Sequence, residues 1–227
     1  MTLVILVRHG RSSANSAGLL AGRMPGVHLD DIGEAQAATV GARLAGVPVT
    51  EVVTSPLERC RETAKGLVAA LDGKKTPIRA DKRFVEVDYG DWTGKKLSTL
   101  AKRSLWSVVQ EQPSAARFPG GESLAEVSAR AALGTRALVE RLGGPGSGKV
   151  AVIVSHGDVI KSILADALGL HLDLFQRIVV DPGSVSAVRY TKPRPYVLAV
   201  NSREGGLGVP IKPSRGSQSP VGGTTGR

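Results

Sequence analysis

VILVRHG, residues 4–10, decides the fold. A continuous run of branched apolar residues reads as a strand buried on both faces, the habit of parallel sheets covered by helices. The run stops abruptly at Arg8-His9-Gly10. The same design returns at residues 150–157, VAVIVSHG, where the apolar run ends in Ser155-His156-Gly157.

Between and beyond these two strands, apolar runs alternate with helical patterns, which predicts an α/β fold with a mostly parallel central sheet flanked by helices. Helix starts are marked by capping residues. Ser55-Pro56-Leu57-Glu58 places a hydroxyl, a proline suited to a first turn and a glutamate three on from the serine, and predicts a helix to about Leu71. Asp31 followed by Glu34 starts another that ends near Gly46, and Ser123 followed by Glu126 starts a long one to about Leu142. The Gly-rich run 143–148 breaks the chain before a strand at 149–155. Asp158 to Leu168 is helical again, closed by Gly169. Runs at 184–191 and 196–201, joined through Lys192-Pro193-Arg194-Pro195, predict a closing antiparallel hairpin.

The chain's 227 residues suit one sizeable domain, and 41% apolar content argues against global disorder. A catalytic or binding domain is expected over 1–201, followed by a flexible, basic Gly/Pro/Ser-rich tail over 202–227, too poor in apolar residues to offset its ordering entropy. Single Cys60 excludes an internal disulfide, reads as a packing residue, and fits a reducing cytoplasmic setting. The first residues lack the pattern of a signal peptide, and no apolar run is long enough to cross a bilayer. Thirty basic against twenty acidic residues give +10, which suits anionic partners. Aromatics at 4% and the lack of a known nucleic-acid motif weigh against DNA or RNA as that partner.

In open parallel sheets ligands bind beyond the carboxyl ends of the strands. Arg8-His9-Gly10, Ser155-His156-Gly157 and Thr54-Ser55, which leads to Arg59 on the next helix, all fall at such ends. One His after a strand is ordinary. Two His-Gly endings on buried strands, with two arginines alongside, require a shared polar partner, and a dianionic phosphoryl group supplies one. The glycines allow the backbone to approach closely.

Together Arg8-His9-Gly10, Ser55-Pro56-Leu57 with Arg59, Glu86 within FVEVDYGDWTG, and Ser155-His156-Gly157 resemble the histidine phosphatase superfamily, with its phosphoglycerate-mutase-like fold. The resemblance spans about residues 1–200 in order. It implies that His9 is the nucleophile forming a phosphohistidine, and that Arg8, Arg59 and His156 surround the transferring oxygens. Glu86 is implied as general acid and then base, a role that needs a raised pKa. Asn15, Gly22, Arg23 and Gly157 are implied in substrate binding, with Arg11 and Ser12 near the mouth. His28 and His171 lie outside the pattern, and neither a metal site nor a cofactor is expected.

The mutases of this superfamily carry a Trp-Arg-Arg stretch that grips the second phosphate. Here Trp106 is followed by Ser107 and Val108, leaving Lys102, Arg103 or Arg117 as substitutes. The expected activity is therefore hydrolysis of a small phosphorylated metabolite, with a cofactor-dependent phosphoglycerate mutase as the alternative. A basic nucleic-acid-binding protein or a catalytically silent interaction protein is the reading from another class. Leu105, Trp106, Val108, Val109 and Phe118 predict a partly apolar cover over the site. The sheet's edge and family precedent suggest a homodimer.

Overall fold

A computed structural model describes residues 1–71 and 76–205. In chain order it contains β1 (Thr2–Arg8), α1 (Ser13–Ser16), α2 (Asp31–Arg43), β2 (Val49–Thr54), α3 (Glu58–Ala69), β3 (Ile78–Ala80), α4 (Leu97–Leu100) and α5 (Ser104–Glu111). There follow α6 (Leu124–Arg141), β4 (Val150–Ser155), α7 (Gly157–Leu168), β5 (Val185–Tyr190) and β6 (Pro195–Ser202). The strands form one sheet in the order β3-β2-β4-β1-β5-β6. β3, β2, β4 and β1 run parallel, and β5 pairs antiparallel with both β1 and β6, giving the closing hairpin.

The two His-Gly strands are neighbours at the centre, in register from Leu3 opposite Val150 to Arg8 opposite Ser155. Both are apolar on both faces because both faces are covered. Val4, Leu6, Ala151 and Ile153 pack towards α6 and α7, while Leu3, Ile5, Val7, Val152 and Val154 pack towards α2 and α3. The alternation of side chains along a strand divides one apolar run between two cores. It also leaves the strand's carboxyl end as the place where polar groups can emerge.

The capping signals place four of the helices with two adjustments. The serine cap of α6 is a full capping box between Ser123 and Glu126, and α7 ends at Gly169 in the left-handed conformation. α2 is capped one residue earlier than expected, by Asp30, whose carboxylate accepts from the Gly33 amide at 2.9 Å. Ser55 does not cap α3. That helix begins at Glu58 with no side-chain cap, and the Ser55 hydroxyl is turned to His156 instead.

Ser202 belongs to β6, and the Arg43 guanidinium holds its carbonyl at 3.0 Å. Arg203 follows within 3.6 Å of Asp181, and Arg43 also donates to the Gly205 carbonyl at 2.8 Å; the expected tail from residue 206 on lies outside the described residues. Among the described residues no helix is long and apolar enough to cross a membrane.

Candidate active site

His9 follows β1 directly and is buried, 3% exposed. Its ring is fixed from both sides. The carbonyl of Gly10 lies 2.7 Å from Nδ1, and the Arg59 Nε–H points at Nε2 from 3.3 Å. A guanidinium can only donate, so Nε2 presents its lone pair and Nδ1 carries the proton it gives to Gly10. Burial first, then the charges of Arg59 and Arg8, hold the His9 pKa well below the usual histidine range. The ring is therefore neutral at neutral pH, with its free electron pair on the nitrogen beside Arg59. The approach of Gly10 that makes this possible is to the next helix: a Cβ there would collide with the Gly33 carbonyl at the start of α2.

Arg59, on the first turn of α3, is 2% exposed and threads the site. Its Nη2 donates to the Gly22 carbonyl at 2.8 Å and faces His156 Nδ1 at 3.3 Å. Its Nη1 is buried without a partner, as is Nε of Arg8, whose Nη1 donates to the Val180 carbonyl at 2.6 Å. Two cations whose buried donors have no protein partner, beside a neutral imidazole, form a site suited to an anion.

His156 stands behind His9 rather than at the surface of the cavity. It is fully buried, its ring meets that of His9 edge-on at 5.2 Å, and its Nε2 lies 2.8 Å from the Ser55 hydroxyl. Cys60 packs against it at 3.4 Å, and burial pushes the thiol pKa up, so the sulfur is inert packing. Gly157 lines the cavity beside Arg8.

Glu86 enters from the loop after β3. One carboxylate oxygen accepts from the Val87 amide at 2.9 Å, and the other lies 3.8 Å from His156 Nδ1. Burial, then the nearby carboxylate of Asp158, raise its pKa to about 7. A carboxyl with that pKa is protonated about half the time near neutrality and can both give and take a proton.

The loop that carries Glu86 is held by Arg130 and Glu122, which the sequence did not mark, and by Arg23, which it marked for another role. Arg130, on α6, donates to the carbonyls of Arg83 (2.9 Å), Val85 (2.7 Å) and Glu86 (3.1 Å), and pairs with Glu122 at 3.0 Å. Glu122 in turn accepts from the Asp88 amide. Arg23, expected at the substrate, is engaged here: it donates to the Glu86 carbonyl at 3.0 Å and pairs with Glu122 at 2.8 Å. Asp158 accepts from the Tyr89 hydroxyl at 2.9 Å. Its signal was available, since it follows His156-Gly157 directly. Arg130 sits in the middle of a helix, where only the fold reveals its reach.

Asn15 and Ser12 line the cavity, with the Asn15 amide oxygen accepting from Ser12 in the capping box of α1. Gly22 contributes its carbonyl to Arg59 and stands at φ +52°. Arg11 pairs with Asp30 at 2.7 Å. His28 and His171 are exposed and pair with Glu62 and Asp173. Lys102 and Arg103 are exposed, and Arg117 is taken by Glu126 at 2.7 Å.

Residues 4–203 match the family model of the histidine phosphatase superfamily, branch 1. The chain belongs to that superfamily. Phosphoserine phosphatase 1 of Hydrogenobacter thermophilus is 27% identical over 203 residues, 88% of this chain and 92% of that protein. A 2,3-bisphosphoglycerate-dependent phosphoglycerate mutase of Gloeobacter violaceus is 30% identical over 80% of this chain and 82% of its own length. The solved structure of an α-ribazole phosphatase from Shigella flexneri superposes with a TM-score of 0.78 at 26% identity, covering 92% of this chain and 99% of that one. Family, fold and the phosphatase class expected from the sequence thus stand, with the mutase as the lesser alternative.

Proposed function

We propose that the protein hydrolyses the monophosphate ester of a small alcohol through a phosphohistidine on His9. The single observation that carries this is the neutral His9 ring at the cavity wall, whose Nε2 lone pair is held by a long 3.3 Å contact from Arg59 Nε–H, beside buried donors of Arg8 and Arg59 that lack partners. The phosphoryl group enters with its oxygens on those two guanidinium groups. Nε2 attacks phosphorus in line as the alkoxide leaves, and Glu86, protonated, gives the alkoxide its proton. Water then attacks the phosphohistidine, Glu86 takes the proton, and inorganic phosphate departs. Arg suits the transferring oxygens because its planar fork binds two of them together. The positive charge that a metal would supply is already present in these two side chains, so turnover is expected to persist in chelator.

His156 acts in this scheme through its neighbours. Its Nδ1 faces Arg59 and Glu86, and it keeps both at their angles to the phosphoryl group. Two accompanying proposals are a cytoplasmic setting, supported by a lone cysteine sealed in the core, and a homodimer formed at a sheet edge.

Hydrolysis rather than mutase chemistry is supported by where the remaining cations lie. Lys102, Arg103 and Arg117 are turned to solvent or paired, so the second phosphate of a bisphosphoglycerate finds no clamp in the residues after Trp106. Losing two charge-assisted contacts of about 1.5–3 kcal/mol each weakens such a cosubstrate by at least roughly a hundredfold. The test supplies 3-phosphoglycerate with catalytic bisphosphoglycerate and follows both products. Inorganic phosphate without 2-phosphoglycerate is expected; robust isomerisation overturns the reading.

A further inference from the structure

We infer that the alcohol released is uncharged and carries a flat ring, in contrast to a small carboxylate-bearing acid. This rests on the hydrolytic reading above and concerns the other end of the same cavity, a space of ≈ 270 Å³. Beyond the phosphoryl end the walls are Leu20, Trp92, Leu97, Trp106, Val109 and Phe118. Trp92 and Trp106 lie near-parallel with ring centres 6.3 Å apart, and Phe118 meets Trp92 edge-on at 5.4 Å. Trp92 and Phe118 are buried and locked, whereas Trp106 on α5 is half-buried. Rigid aromatic walls favour a ring that stacks or meets them edge-on, with little ordering cost on the protein's side.

Charge points the same way. Among the described residues lining this outer end, the cation is Lys161, and its charge is already shared with its neighbours. Its Nζ donates to Gln176 at 2.8 Å, lies 3.7 Å from the Asp158 carboxylate and sits 5.5 Å from the centre of the Phe175 ring. Asp158 itself lines the wall, so the outer end is close to neutral. A substrate carboxylate there would lose its water, find only a cation already paired with Asp158, and face the Asp158 carboxylate itself. A neutral ring loses little water and gains apolar contact. The side-chain amides of Asn15 and Gln110, also on the walls, leave room for polar atoms on the ring without asking for charge.

The experiment measures phosphate release from three esters whose alcohols are comparably poor leaving groups: 2-phenylethyl phosphate, n-propyl phosphate and 3-phosphoglycerate. In parallel, calorimetry measures the binding of each to His9→Ala. The expected result is a kcat/KM at least tenfold higher for the phenylethyl ester than for the propyl ester, with 3-phosphoglycerate lowest and the same order in binding. Trp106→Ala should bring the phenylethyl-to-propyl ratio towards one, and Trp106→Lys should raise 3-phosphoglycerate relative to both. Equal or better use of 3-phosphoglycerate by the wild type overturns the inference, as does a ring preference that survives both Trp106 variants. Ring-selective binding without phosphate release from any ester would instead sustain the ring inference and defeat the hydrolytic reading.

Discussion

The two ends of the cavity are built by different means. At the inner end His9 and His156 follow β1 and β4 directly and Arg59 stands on the first turn of the helix after β2, and the three residues are 3%, 0% and 2% exposed. Each is held by backbone or buried side chains, so the geometry comes from the sheet itself. At the outer end the aromatic walls come from residues 86–122, a region of short helices and 3-10 turns linked by loops, and Trp106 remains half-buried. The contrast teaches a division of labour: the rigid sheet fixes the phosphoryl chemistry, and the inserted segment selects the alcohol. Glu86 lies at the joint, a reacting group carried by the inserted part and clamped to the frame by Arg130.

That division is open to attack through the joint first. Glu86→Gln keeps the shape and removes the proton, so turnover of alkyl phosphates should fall about 10²–10⁴-fold. Aryl phosphates, whose leaving groups need little protonation, should lose far less. Equal losses across a series of leaving groups would place Glu86 outside proton transfer. Arg130→Met should come next, with roughly a tenfold to hundredfold loss in kcat, because the Glu86 loop is freed while Arg8 and Arg59 are untouched. Its signature is the same dependence on leaving group, with affinity for inorganic phosphate retained. A uniform loss together with weakened phosphate binding would show that the frame, not the joint, had been damaged.

The smallest effect is a shift in pH dependence. With Glu86 at about 7, alkyl phosphate turnover should decline tenfold per pH unit above neutrality, as the carboxyl loses the proton it must donate. His9, held well below its usual range, adds no loss of nucleophile near pH 6. Asp158→Asn removes a like charge from beside Glu86. Ionised Glu86 then becomes easier to form, its pKa falls, and the alkaline limb moves to lower pH. A limb that stays in place would remove Asp158 from the electrostatics of the acid.

The inner end was legible in the sequence because strand endings are local. An apolar run followed by Arg-His-Gly can sit at few places in a parallel sheet, and its twin at 150–157 marks a second strand whose end opens on the same face; that the two are neighbours is shown by the sheet. The serine cap of α6 and the closing glycine of α7 were legible for the same reason, and the α2 cap to within one residue. Ser55 shows the limit: a serine before a proline and a glutamate has the pattern of a cap, yet tertiary structure uses its hydroxyl on His156, 101 residues away. Arg23 and Arg130 were not legible as clamps of the acid loop. Their bonds to the loop itself are to main-chain carbonyls, which leave no mark in a sequence, and the Glu122 they share lies 99 and 8 positions away from them along the chain. The outer walls were visible only as apolar residues, since α4, at four residues, is too short to carry a period and α5, at eight, scarcely longer.

The central claim is that the lone pair on His9 Nε2 is the nucleophile. Rapid quenching during turnover of a ³²P-labelled ester, under alkaline denaturing conditions that preserve phosphohistidine, tests it most directly. The account predicts label on the peptide containing His9, lost on acidification, absent in His9→Ala, and accompanied by a fall in turnover of roughly four orders of magnitude or more in that variant. Label on any other residue, or an unlabelled His9→Ala protein that still releases phosphate at the wild-type rate, would contradict it.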